Sequence, residues 1–447
     1  MSDKRRQKLI DLGAEALADV LINLGNYSDK ADDVIDKIIS SKTERLKAVK
    51  KKISSLKRSK RFIEWKYAAD FADDLEIILE EVQACVSNPI EGVKIITSFF
   101  ETDSSVFQRC DDSSGFIGSV YDNAMDLFVQ YASECEDKKL IVDILLKLLL
   151  KDEFGVRESL LESVTKFLPR ASIRLMITEF RKRADAEDEK YAKEKQFRFI
   201  EILARKIKDA KLFEEIRLER SEEISRYSCI EIAEVYFESG NTETAHAWLK
   251  KIPEDEVFLK GKKNALLLKI YKKQGNIEKQ QEILNYYFVV SPSIHTLNDL
   301  LDLVGHDKKD DIIVPKVREI LNKHVLDTSD IYFMLDLDKV DEAEAHLIKY
   351  HEQLDGDPYY DLLPLAKTME KEKRYLCACL IYRSLLISIL ERAFYKAYQY
   401  AANYLKTLDK LSQNISDWKG IIDHNSFKEH LVEKHGRKRS FWAKYDN

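Results

Sequence analysis

The chain is poor in the residues that interrupt regular structure: of 447 residues only 13 are glycine and 7 are proline, well under half the roughly 12% of average usage. So few turn formers exclude a fold of many short strands, and no run of alternating residues lasts long enough to compete with helix. Cysteine is scarce as well, with six residues: Cys85, Cys110, Cys135, Cys229, Cys377 and Cys379. Thinly scattered in apolar helical patterns, they read as reduced, buried thiols of a cytoplasmic protein and exclude a disulfide frame. Long apolar runs are missing. The most hydrophobic, Leu140 to Leu150, contains Asp143 and Lys147 and at about 11 residues is too short to span a bilayer. Met1 to Arg6 is charged, and the apolar stretch behind it is broken by Asp11, Glu15 and Asp19, so neither signal peptide nor membrane anchor is expected. An excess of one charge is missing too: 73 basic residues face 79 acidic ones, for a net charge of −6, which argues against a wholesale polyanion binder. No G-x-G-x-x-G, Walker loop, G-x-S-x-G or H-E-x-x-H occurs, so no cofactor is expected and catalysis has no motif to stand on.

What is present is charge and helical periodicity. Charged residues make up 34% of the chain against roughly 25% in an average one, as solvated helix faces require. Leu9, Leu12, Leu17, Val20, Leu21 and Leu24 recur as one helix face. From Ser41 to Lys66, Leu46, Val49, Ile53 and Leu56 form an apolar stripe, while Lys47, Lys50, Lys51, Lys52, Lys57, Arg58, Lys60 and Arg61 cover the rest. This is a basic amphipathic helix, and the acidic residues that follow it, Asp70, Asp73, Asp74 and Glu76, can pair with it. After a helix opened by Pro89 comes the densest loop cluster, Cys110 to Gly118. Further helices are expected at about 120–134, 138–151, 156–168, 171–184, 190–209 and 211–225. Leu140 to Leu150, apolar nearly all round, should be covered on several sides.

A repeat begins at Tyr227. Ala233, Tyr236, Gly240 and Ala245 fit the tetratricopeptide pattern, and Leu268, Tyr271, Gly275 and Gln280 form a second copy. From Tyr236 to Tyr271 and from Gly240 to Gly275 are both 35 positions, close to the 34-residue unit. Ala366, Met369, Lys373 and Ala378 make a weaker copy, and Asp327 to Leu354 looks like a shortened helix pair. The expected fold is all-α, a tetratricopeptide- or HEAT-like superhelix (an α-solenoid) with irregular repeats. It divides into an N-terminal helical region, 1–110, a central one, 111–225, and the repeats with a basic-aromatic tail, 226–447.

Candidate site residues come from three places. Asp111, Asp112 and Ser113 offer hard oxygen ligands to a cation or partner, although the EF-hand spacing is absent; the alternative is that they cap the helix opening near Phe116. Lys50, Lys51, Arg58 and Arg61 on the basic helix 42–66 can meet phosphates. The tail 435–442, with His435, Arg437, Lys438, Arg439, Phe441 and Trp442, interleaves cations with aromatics as phosphate and stacked bases require, or its Phe-Trp pair docks to close the last repeat. No metal site is expected. His430 and His435 lie five apart, about 140° on a helix, and Cys377-x-Cys379 has no downstream partner pair.

Arg61-Phe62-Ile63-Glu64-Trp65, the loop Asp111-Asp112-Ser113-Ser114-Gly115-x-x-Gly118, Glu391-Arg392-Ala393-x-x-Lys396-Ala397-Tyr398, and His424-x-x-Phe427-x-x-x-Leu431-x-x-x-His435-Gly436-Arg437-Lys438-x-x-Phe441-Trp442 occur in that order. Together they resemble an uncharacterised bacterial helical-repeat family, similar to the repeat region that accompanies SWIM zinc fingers. The finger itself, C-x-C followed by C-x-H, is absent, so zinc-dependent nucleic-acid binding is not carried over. The resemblance implies a bacterial cytoplasmic protein with a superhelical array, and it singles out the Asp111 loop and the His435 tail for a shared role. The function expected is a non-enzymatic scaffold for a protein or peptide partner. The alternatives are a nucleic-acid-associated factor acting through the basic helix and tail, and an enzyme using Asp111 and Asp112 with a divalent ion.

Overall fold

Extended backbone is almost absent from this molecule: the computed structural model describes residues 2–220 and 223–446, and among them the regular elements are all helices. The one pairing of extended chain among these residues is a parallel bridge between Ile63 and Cys110. The fold is all-α.

Local chemistry sets the helix ends. Ser41 opens Lys42–Leu56 with a capping box: the Glu44 amide donates to Ser41 Oγ at 3.3 Å, and the Ser41 amide donates to the Glu44 carboxylate at 2.8 Å. That helix was expected to run to Lys66, yet it stops at Leu56. Ile63 is drawn out instead, its amide donating to the Arg109 carbonyl at 2.8 Å and its carbonyl accepting from the Asp111 amide at 3.3 Å. Arg58, Lys60 and Arg61 therefore lie beyond the helix. The expected helix 156–168 is also interrupted, into Ser159–Glu162 and a 3-10 turn, Val164–Lys166. There Asp152 gathers the amides of Gly155, Arg157 and Glu158 at 2.8–3.0 Å, which holds the preceding chain in a turn. Of the expected helix 211–225, Ala210–Glu219 forms, and Ser221 and Glu222 lie outside the described residues.

One turn recurs between helices. Gly240 and Gly275 have φ of 96° and 67°, and the next amides, of Asn241 and Asn276, donate to the carbonyls of Tyr236 and Tyr271 at 2.9 and 3.0 Å. Each asparagine then caps the following helix through its side chain, accepting from Thr244 and Lys279. This is the left-handed C-terminal turn in which glycine carries no Cβ penalty. The same backbone geometry occurs where no glycine marks it: at Lys208, Asp338 and Lys373, with φ of 56°, 61° and 58°. The amides of Asp209, Lys339 and Arg374 donate to Ala204, Met334 and Met369, each at 2.8 Å. The expected short pair is there, as Thr328–Asp336 and Val340–Lys349. A left-handed conformation costs an L-residue roughly 1–2 kcal/mol. Gly240→Ala is therefore expected to lower the unfolding free energy by about that amount, and Lys373→Gly to raise it by about 1 kcal/mol, both read from urea midpoints.

The chain forms two compact units, Met1–Lys263 and Asn264–Asn447, a division different from the three composition-based regions. In the first, a continuous apolar core runs from Val49 to Ile216, with no break at residue 110. The helix Lys138–Leu150 is buried on several sides, through Ile141, Val142, Leu145, Leu146, Leu148 and Leu149. The N-terminal helices Ser2–Asp11, Ala14–Tyr27 and Asp29–Ile39 differ: of 36 exposed large apolar side chains among the described residues, 11 lie between Leu9 and Ile39. In the second unit a core from Leu284 to Phe441 is centred on the apolar helix Tyr375–Glu391. No helix of the described residues is long and apolar enough to cross a membrane.

Candidate functional site

The bridge between Ile63 and Cys110 joins two of the sequence motifs, the run Arg61 to Trp65 and the loop that begins at Asp111. In that loop the Asp111 carboxylate accepts from the Ser113 hydroxyl and from its amide at 3.2 Å, bonds that hold the carboxyl below its ordinary range. Asp112 spends both oxygens on the first turn of Phe116–Glu134, accepting from the Ile117 and Gly118 amides at 2.9 Å each. Anionic oxygen at a helix N-terminus is favoured, and this geometry accounts for an aspartate there without a metal. Asp111, Asp112 and Ser113 are thus engaged with one another and with the backbone.

Pinning Ile63 leaves its neighbours outside. Phe62, Trp65 and Tyr67 are 62%, 65% and 53% exposed. Beside them is a cleft of about 460 Å³ lined by Arg61, Phe62, Tyr67, Asp70, Asp74 and Arg109, among others. Arg109 is buried, its Nη1 donating to the Arg61 carbonyl at 3.3 Å and its guanidinium 4.7 Å from the Phe71 ring. Burial pushes its pKa down. The sequence names Arg61 here as a phosphate contact, and Phe62 and Trp65 only as members of the helical segment and of the Arg61 to Trp65 run, not as contact residues.

Part of the basic segment is paired from within the fold. Arg45 pairs with Glu81 and Lys50 with Glu91, both at 2.8 Å, and Lys57 pairs with Glu101 at 2.5 Å. Its partners are thus not the expected Asp70, Asp73, Asp74 and Glu76. Lys51 and Arg58 are exposed and have no ion pair among the described residues; Arg58 Nε donates to the Ser54 carbonyl at 3.1 Å.

The tail is a folded helix, Arg439–Asp446, packed against Tyr398–Leu411. Phe441 is fully buried, 6.1 Å from the Tyr398 ring and 4.9 Å from that of Trp442. Trp442 is half-buried, and its Nε1 donates to the His435 carbonyl at 3.0 Å. Asp409 ties three helices together: one oxygen accepts from His424 at 2.8 Å and Lys428 at 3.0 Å, the other from the Tyr445 hydroxyl at 2.6 Å. Burial pushes Asp409 up, but the bonds from His424, Tyr445 and Lys428 outweigh it and leave the carboxyl below its usual range. Of the expected tail contacts, Arg437 is exposed, Lys438 half-buried and His435 buried. Burial, reinforced by Lys438 and Lys434, pushes His435 down from its ordinary value. A base depressed in the folded state keeps its stabilising effect above the unfolded pKa of about 6.5 and loses it as pH falls through the folded value. The melting temperature is therefore expected to fall on acidification below about pH 6.5, and His435→Asn to make that fall shallower.

Cys377 and Cys379 are both buried in Tyr375–Glu391, and burial pushes both thiols up, Cys379 to about 12. Among the described residues no group of three or more His, Cys, Asp or Glu side chains is placed to hold a metal ion. The same helix carries a residue that the sequence reading passed over, Arg383. It is 6% exposed, with its guanidinium 4.6 Å from the Trp418 ring and 4.5 Å from the Phe427 ring. Burial lowers its pKa to about 10. The signal was available: Arg383 is the sole charged residue between Tyr375 and Leu390.

No curated protein matches the chain. A family model described only as a family of unknown function, DUF6880, matches residues 4–444, which is nearly the whole chain, and the protein belongs to that family.

Proposed function

We propose that the protein is a non-enzymatic interaction scaffold of the bacterial cytoplasm, an irregular superhelical array of tetratricopeptide-like hairpins that receives a protein or peptide partner. The observation that carries this reading is the exposed aromatic surface at Phe62, Trp65 and Tyr67, beside Arg61 and an open cleft. Trp, Tyr and Arg dominate the energetics of protein interfaces, and large aromatics left in water are otherwise unfavourable. The recurrence of one helix-joining turn at Lys208, Gly240, Gly275, Asp338 and Lys373 supports the repeat architecture. Both Gly240 to Gly275 and Asp338 to Lys373 are 35 positions.

The test is affinity capture from the native host with the wild type and with Phe62→Ala plus Trp65→Ala. The expected result is that a stoichiometric partner is lost while the stability of the variant stays within about 0.5 kcal/mol, as exposed positions allow. An unchanged set of captured proteins would remove the aromatic surface from the account. The nucleic-acid reading rests on the exposed cations Lys47, Lys51, Lys52 and Arg58, which have no ion pair among the described residues. It requires affinity that falls steeply with salt, and absence of binding at low salt eliminates it.

A further inference from the structure

The three N-terminal helices contribute nothing to the core of their own unit. That core, with the apolar side chains packed against it, begins at Leu46 and takes in no described residue of Ser2–Asp11, Ala14–Tyr27 or Asp29–Ile39. The last two helices form a hairpin instead. They meet at Gly25, the one buried residue of Ala14–Tyr27, where a Cβ would stand 2.7 Å from an Asp32 carboxylate oxygen and 3.4 Å from Ile35 Cδ1.

That contact sets the direction of the other side chains of the pair, because successive residues of a helix turn by about 100°. With Gly25 facing Asp32 and Ile35, Val20, Leu21 and Leu24 of the first helix and Val34 and Ile38 of the second fall on one side of the hairpin, and Tyr27 falls at its edge. These six side chains are 38–89% exposed. Glu15, Asp19 and Asp36 fall on the reverse side. None of the hairpin's described charged side chains lies on the apolar side, so two copies can meet there without opposing like charges.

Contiguous apolar surface of this kind marks an interaction site. The six side chains present roughly 600 Å² to water, and two copies face to face would remove roughly 1,200 Å², the lower end of the range for specific protein interfaces. Two helical hairpins joined through their apolar sides enclose a four-helix core, and two-fold pairing is the commonest symmetry for such an assembly. A lipid surface is the poorer match, since a helix lying on a membrane sets Lys and Arg on its polar side, and here that side is acidic.

We propose that the hairpin of Ala14–Tyr27 and Asp29–Ile39 dimerises the protein, packing its apolar side against the same side of a second copy as a four-helix bundle. The inference is independent of the scaffold reading, whose aromatic surface at Phe62 and Trp65 lies outside the hairpin.

The test uses the full chain. Analytical ultracentrifugation at micromolar concentration is expected to give twice the chain mass for the wild type and the mass of one chain for Leu24→Glu with Ile38→Glu. Neither of those side chains belongs to the core, so its cooperative melting should be retained in the variant. Asp19→Lys with Asp36→Lys, on the reverse side, should remain paired. Because the glutamates can unfold the hairpin itself, a photo-crosslinking residue in place of Tyr27 provides an arm with the apolar side unchanged. It should yield a covalent pair of chains, whereas the same residue in place of Glu15 should not. A wild type with the mass of one chain at every concentration up to about 100 µM would overturn the proposal. So would a glutamate variant that stays paired, a reverse-side variant that does not, or absence of the covalent pair from position 27. Binding of a single-chain wild type to vesicles of phosphatidylcholine and phosphatidylglycerol, lost in the glutamate variant, would assign the apolar side to lipid and overturn it too.

Discussion

Arg157→Met is expected to destabilise the protein by about 3–5 kcal/mol, because it strips a buried carboxylate of its partner. Asp103 and Arg157 expose only 1% and 4% of their side chains. Arg157 closes the pair with two bonds and spends Nη1 on the Leu148 carbonyl at 3.1 Å, so it also anchors the helix Lys138–Leu150. The loss belongs to the orphaned charge and not to the pair as such. Replacing both partners by apolar residues, Asp103→Leu with Arg157→Met, should therefore recover most of it. Urea midpoints of the wild type and the two variants decide the point. A loss under about 1 kcal/mol in Arg157→Met would mean that Asp103 is hydrated rather than sealed in the core.

Phe441→Ala is expected to cost about 3–5 kcal/mol, whereas Arg437→Ala, Lys438→Ala and Arg439→Ala combined should change stability by no more than about 0.5 kcal/mol. The contrast follows from where the side chains lie. Phe441 is fully buried against Tyr398 and Trp442, while Arg437 and Arg439 are exposed and Lys438 half-buried. A tail that served chiefly as a free nucleic-acid-binding arm would show the reverse, with Phe441→Ala silent in denaturation and the triple variant losing affinity. Calorimetric melting of the two variants separates these outcomes, since a fully buried ring leaves a cavity that the core cannot close completely.

How legible the molecule was depended on whether a residue's role left a mark in its type. Gly240 and Gly275 announced their turn because only glycine adopts a left-handed conformation freely. The same turn at Lys208 left no mark in residue type, since lysine there carries strain that no pattern encodes, and at Lys373 it showed only through the register of the weaker repeat copy. Helix periodicity located most elements but not their ends. The basic helix stops at Leu56 because Ile63 pairs with residues near Cys110, a partner 47 positions away that no local signal reveals. The Asp111 loop stood out in the sequence as a cluster of loop formers, and Asp112 accepts from the first-turn amides of Ile117 and Gly118 as the capping alternative describes. The exposure of Phe62, Trp65 and Tyr67 could not be read at all, because aromatics in a helical pattern are ordinarily core. Arg383 was legible in principle, as a lone charge in an apolar run, but that its buried Nε and Nη2 find no hydrogen-bond partner is a property of what packs around it.

The scaffold reading stands on the aromatic surface beside the Ile63 bridge, and contact at that surface can be recorded in the living cell. A photo-crosslinking residue in place of Trp65, activated in the native host, should yield a discrete covalent adduct with another protein, and the adduct should vanish when Phe62 is also changed to alanine. Adducts to nucleic acid alone, or no adduct above that formed from a control position such as Leu175 on an exposed helix face, would contradict it.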